Sequence, residues 1–221
     1  MAAPLVVATL LMIATVTLAA LAWLGGTADG DRVTIRLSGT CAAEALSHVE
    51  ERASSVGLGD PEFTQEPDAI VVTATLPGLD DDAIAIPRLL GQRGWLEIRQ
   101  GDTVVLDSEA VIEANIRLDE GGAAYTWLDL KKEAVATFQA VLDADPQGEL
   151  TFHLDDELAA VRPNTRGIKD DGLRVVAPGD IKPAERMKIA ADTSIVLTHG
   201  PLPCSLAASA PVPVAAAGSP E

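Results

Sequence analysis

Residues 69 to 99 read AIVVTATLPGLDDDAIAIPRLLGQRGWLEIR. Ile70 to Leu76 is an apolar, β-branched run of strand character, and Pro77-Gly78 breaks it. Asp80 to Asp82 supplies candidate helix caps, so a helix is expected over Ala83 to Leu90. Pro87 removes one helical hydrogen bond, which predicts a helix that is short or begins late. Trp95 to Arg99 then alternates apolar and charged residues as a strand that closes the unit. Strand, turn, short helix and strand form a scaffold piece, and nothing catalytic lies in it.

On the N-terminal side, Val33 to Leu37 alternates like a strand. Ala42, Ala45, Leu46, Val49 and Ala53 fall on one helical stripe, with His48 off it. The helix is expected to end at Gly57, and GLGDPEF reads as a connection before the strand at 69 to 76. On the C-terminal side, residues 103 to 177 form a second α+β unit. It has a strand at 124 to 130, a helix at 131 to 143, and strands at 149 to 154 and 158 to 162. Its helix carries Ala134, Val135, Phe138, Val141 and Leu142 on one face, and Asp145-Pro146-Gln147-Gly148 ends it. Residues 121 to 124, GGAA, are expected to act as a hinge between units. A further helix starts near Pro183 and buries Met187, Ala190 and Ala191. Cys204 to Glu221 has no helical or strand period and reads as a disordered tail.

Composition limits function. The 221 residues carry a formal net charge of −17, a field that repels phosphate backbones and anionic headgroups, so nucleic-acid binding is set aside. Leu5 to Leu24 is uncharged and, at ~1.5 Å per residue, long enough to cross a ~30 Å hydrocarbon layer. A transmembrane anchor over 1–28 is the reading; a cleaved signal, with Ala20-Leu21-Ala22 at its end, is the rival. Arg32 and Arg36 follow that segment, and charge alone leaves its orientation open. Cys41 and Cys204 stand far apart, and spacing does not decide whether they pair.

A search for chemistry finds no GxSxG elbow, phosphate-binding glycine loop, HExxH or Cys-x-x-Cys. His48, His153 and His199 are placed on a helix, a strand and a strand end, and read as structural or surface residues. The runs Asp80 to Asp82, Asp155-Asp156-Glu157 and Asp170-Asp171 sit at turns and helix starts, without the spacing of a calcium loop. Trp95, Trp127 and Tyr125 read as core aromatics rather than a peptide-binding surface. No catalytic, cofactor-binding or metal-ligating residue is assigned.

Three stretches in order, ERASSVGLGDPEFTQEPDAIVVTATLPG (51 to 78), AAYTWLDLKKEAVATFQAVLDADPQGELTFHLDDELAAVRP (123 to 163) and DDGLRVVAPGDIKPAERMKIAADTSIVLTHGPLP (170 to 203), resemble the first periplasmic domain of SecD, a subunit of the protein-export translocase. LPG, LLG, LEIR and GPLP carry the resemblance. The chain departs at Asp155-Asp156-Glu157, where the family usually has Asp-Gly, so a longer or looser turn is expected.

The resemblance implies an α+β fold: a ferredoxin-like base at 32–101 plus about 190–200 and an inserted α+β head at 102–189, with one transmembrane helix before them; at 204–221, where the family has its second transmembrane helix, this chain has the tail read from composition. It implies a non-enzymatic accessory of Sec-dependent export in the inner (cytoplasmic) membrane, its ectodomain facing the periplasm or cell exterior, with the Sec translocon and unfolded preprotein as partners and no cofactor. The later membrane helices that couple the family to proton flow are expected to come from a partner chain. The alternative is a stand-alone membrane-anchored envelope scaffold or interaction module that kept the fold.

Overall fold

β1 (Arg32–Ser38) and β3 (Ala69–Thr75) pair antiparallel along their whole length, from Arg32 opposite Thr75 to Ser38 opposite Ala69. These strands belong to a computed structural model that describes residues 31–76, 81–146, 148–163, 172–177 and 179–214. The apolar run 5–24, the Pro77-Gly78 turn with Asp80, Asp170-Asp171 and residues 215–221 lie outside that range. Among the described residues no helix is long and apolar enough to cross a membrane.

Alternation builds the first layer. Val33, Ile35 and Leu37 of β1 point inward with Ile70, Val72 and Ala74 of β3, all essentially buried. Helix α1 (Ala42–Ser55) lays Ala42, Ala45, Val49 and Ala53 on them, small side chains that let the helix approach the sheet closely. Helix α2 (Asp81–Gly91) adds Ile86 and Leu90. It is not shortened by Pro87, which sits within it. Proline inside a helix costs ~3 kcal/mol through the lost hydrogen bond and the ring clash, and burial of Ile86 and Leu90, worth ~1.5–3 kcal/mol each, offsets it.

GDPEF is not a connection. Gly59–Gln65 forms β2, an edge strand on β3 whose register shifts between Gly59 and Glu62. Asp60 adopts φ 43° at that shift, and an edge strand with a bulge tolerates Pro61, which has no N–H to donate. The sheet order is completed from the far end of the chain. β11 (Ala207–Ala208) and β12 (Val212–Pro213) both pair antiparallel with β1, giving β11-β1-β3-β2.

Residues 204–214 are thus an ordered strap where a disordered tail was expected. Leu206 is buried and its N–H donates to Gly91 O at 2.8 Å; Ser209 N–H donates to Arg36 O and Val214 N–H to Arg32 O. The composition misleads because a strap paired through its backbone needs no apolar period: Ala207, Ala208, Val212 and Pro213 all face solvent. Cys204 is bonded to Cys41 with Cα atoms 6.0 Å apart, which resolves the cysteine question in favour of pairing.

β4 (Leu96–Gln100) departs from the expected organisation. Instead of closing the first sheet, it pairs with β5 (Thr103–Asp107) and β8 (Glu149–Leu154), and β9 (Glu157–Pro163) completes a sheet of order β5-β4-β8-β9. A third sheet, β10-β7-β6, is made of β10 (Gly172–Val175), β7 (Ala124–Leu130) and β6 (Val111–Leu118). Leu96, Ile98, Leu128, Leu150, Phe152 and Leu173 from these two sheets share a second core with Ala134, Phe138 and Leu142 of α3 (Lys132–Ala144).

Helix α4 (Pro183–Thr198) packs on β6 and β7, and its Leu197 joins the second core. It buries Ala190, Val196 and Leu197, whereas Met187, expected inside, is 40% exposed. It also runs through Thr198, which places His199 at a helix end and not at a strand end.

Two turns differ from expectation. GGAA is the β6–β7 hairpin turn rather than a hinge: Asp119 accepts from the N–H groups of Gly121 at 3.0 Å and Ala123 at 2.9 Å. The β8–β9 turn is a tight two-residue one, with Leu154 opposite Glu157 and both Asp155 and Asp156 at positive φ, 53° and 68°. Asp tolerates that conformation better than most residues.

Candidate functional site

The two cores meet at Arg52. It lies in the last turn of α1, on the face that alternation of small residues turns inward, and it is fully buried. Its guanidinium reaches five carbonyl oxygens. Leu89, Gln92 and Arg93 lie at the end of α2; Val196 and Gly200 lie at the end of α4, with Gly200 O at 2.8 Å. Two helix C-termini, each with unpaired carbonyls and a partial negative charge, thus share one cation. Burial pushes the Arg52 pKa down to about 10, and the charge of Asp155 acts in the opposite sense. The guanidinium therefore stays charged at neutral pH.

The chain passing this joint is glycine at the tightest point. Gly94 has φ 76°, and a Cβ there would stand 2.3 Å from Val196 Cγ1 and 3.0 Å from Arg52 Nη2. Asp155, on the β8–β9 turn, accepts from Gly94 N–H at 3.0 Å and Trp95 N–H at 2.8 Å, and donates its own N–H to Trp95 O. Ser108 Oγ accepts from Leu96 N–H. The entry into β4 is held on three sides.

Beside Arg52 stands a row the sequence reading did not assemble. Ser55 Oγ is 2.6 Å from His199 Nε2, and His199 Nδ1 is 3.5 Å from a Glu51 carboxylate oxygen. His48 Nδ1–H donates to His199 O at 2.7 Å. The order hydroxyl, imidazole, carboxylate is that of a nucleophile with its base. The donors needed for an oxyanion are engaged elsewhere: Val56 N–H bonds Arg52 O and Leu58 N–H bonds Ala53 O. Ser55 also ends a helix, where the dipole opposes developing negative charge. What the row does is clamp the end of α4 to the last turn of α1.

The remaining expected residues are dispersed. Trp127 is buried beneath Arg117, whose guanidinium lies 4.2 Å from the ring, and its Nε1–H donates to Asp129. Arg174 stacks on Tyr125 at 4.2 Å and pairs with Asp119 at 2.8 Å. The N–H of Ala123 and then Arg174 hold the Asp119 carboxyl below its ordinary pKa. Glu97 is lowered likewise, first by Arg99 and then by Trp95. His153 meets Thr151 on β8. No group of three or more metal-binding side chains occurs among the described residues.

No family model matches the chain, and no curated protein matches it in sequence. Solved structures do match. A crystal structure of SecDF in a super-membrane-facing form superposes with a TM-score of 0.65 at 17% identity, over 92% of this chain and 34% of that one. A structure of the membrane component SecDF that enhances protein export gives 0.61 at 19% identity, over 80% of this chain and 97% of that one. This chain therefore shares the fold of the part of SecDF that it covers, about a third of the length of the longer SecDF structure.

Proposed function

We propose that the chain is a SecD-like accessory of protein export, held at the membrane by residues 5–24, whose ectodomain contacts polypeptide in transit and catalyses no reaction. The observation that carries this reading is the superposition on SecDF over 92% of the chain. The first sheet supports a ferredoxin-like base: β1, α1, β2, β3 and α2 follow in order, and β11 supplies a fourth strand, all neighbours antiparallel in the order β11-β1-β3-β2. The two other sheets with α3, residues 96–175, correspond to the head.

The Cys41–Cys204 bond supports an outward-facing domain, since such bonds persist in oxidising compartments. Residues 5–24 carry no ionisable group, and proton coupling needs such groups within the membrane, so that segment does not supply the step. A second reading is a stand-alone membrane-anchored envelope scaffold that kept the fold.

Crosslinked pull-down of the full chain from membranes tests the two readings. Recovery of the Sec channel is the result expected. Its consistent absence, with other envelope proteins recovered instead, overturns the export reading in favour of the scaffold.

A further inference from the structure

We infer that the outer edge of β6, beside the N-terminal half of α4, takes an extended apolar polypeptide segment of another protein as an added strand; this rests on the export reading above.

Among the described residues β6 pairs only with β7. The edge is closed at one residue. Ala114 N–H donates to Thr198 Oγ1 at 3.2 Å, and Ala114 O accepts from Ser194 Oγ at 2.6 Å and Thr198 Oγ1 at 2.8 Å. Those bonds show that the backbone of Ala114 turns away from β7. Antiparallel alternation, in a register unbroken from Glu113 to Leu118, turns the same groups of Ile116 and Leu118 outward too. The α4 positions that follow Ser194 toward the helix start, Ala190 and Met187, carry no hydroxyl to cap them. Covering a strand edge with polar side chains is how proteins prevent pairing, and here the cover stops halfway.

The open half is apolar. Ile116 is 44% exposed and Leu118 55%. Two other edges are protected differently: β2 carries a bulge, Pro61 and charged residues, and β5 exposes only Val104 among large apolar side chains. Outward N–H and C=O groups between alternating apolar side chains are satisfied by an extended backbone with small apolar residues.

Charge selects the occupant. Each copy of this chain carries −17, so two copies repel, whereas a neutral or basic segment is drawn in. Glu120 is exposed at the end of β6 and suits a basic residue flanking the apolar segment.

The test uses the full chain in a mild detergent and a fluorescent peptide, Lys-Val-Thr-Val-Thr-Val-Lys, followed by anisotropy against detergent alone. Ile116→Pro removes an outward N–H while sparing the bonds to β7. Leu118→Asp removes an apolar side chain and adds charge that attracts the peptide. Each is expected to weaken binding at least tenfold, with unchanged far-UV circular dichroism and with Val104→Asp binding as the unaltered chain. If Ile116→Pro misfolds, Leu118→Asp alone decides. Unaltered binding to a folded Leu118→Asp chain overturns the site and leaves polypeptide contact standing. Absence of binding to the unaltered chain overturns the site, while Sec-channel recovery judges the export reading separately. A dimer of the unaltered chain that Leu118→Asp dissolves overturns the choice of occupant.

Discussion

Arg52 donates to the carbonyl of Gly200 at 2.8 Å across 148 residues of sequence, and the same guanidinium reaches the end of α2. Replacing it by Met leaves carbonyls of two helix ends without a donor, each costing ~1–3 kcal/mol when buried. Arg52→Met is therefore expected to lose about 3 kcal/mol or more in chemical denaturation. Arg52→Lys keeps a charge but has one nitrogen where two are used, so it recovers less than half of the loss. A loss below about 1 kcal/mol for Arg52→Met would show that the joint is held by packing alone.

Asp155 and Asp156 share one turn and both have positive φ, yet substitution by glycine is expected to act in opposite directions. Asp155 holds Gly94 and Trp95 through two N–H bonds, so Asp155→Gly strands two donors and costs about 2 kcal/mol despite the easier backbone. Asp156 has an exposed side chain whose one ion pair, to Arg99, spans 3.6 Å. Asp156→Gly relieves the left-handed conformation and gains about 0.5–1 kcal/mol. Thermal midpoints of the two variants, measured side by side, check the sign of each.

These residues also show what was legible in advance. The stripes of α1 and α3 and the alternation of β1, β4 and β7 read directly, because burial on one face leaves a period in the sequence. Arg52 did not, because an arginine at a helical core position reads as surface until the carbonyls it serves, from residues 37 to 148 positions away, are brought to it. The strap escaped for the opposite reason. Its contacts are backbone bonds and one side chain, Leu206, and neither produces a period. β2 was hidden by Pro61, since the tolerance of an edge strand is visible only once the sheet order is known.

Acid should act on the β6–β7 turn. Asp119 is held below its ordinary pKa by Ala123 N–H first and by Arg174 next. A lowered carboxyl stabilises the fold fully above its unfolded value of ~3.9 and loses that contribution as pH falls through the folded value. Asp119→Asn keeps an oxygen for the turn N–H groups but no charge for Arg174. Its thermal midpoint is expected to lie below that of the unaltered chain at pH 7, and the two should converge as pH falls from 4 to 2. Parallel curves over that range would place the acid sensitivity elsewhere.

The disulfide and the strap make one further expectation. Cys41 and Cys204 close a separation of 163 residues, and a loop of that size is worth about 2–5 kcal/mol in restricting the unfolded chain. Reduction has a local effect as well, because Cys204 fixes the start of the strap two residues before Leu206 enters the first core. Beyond Leu206, short pairings on β1 and the packing of β11 against α2 hold residues 207–214. In the Cys41→Ser/Cys204→Ser chain, hydrogen exchange at the Ser209 and Val214 amides is expected to accelerate at least tenfold more than at β3. Uniform acceleration across both strands would show that the bond acts only through the unfolded state. Labelling two thiols in the native chain without reductant would exclude the bond itself.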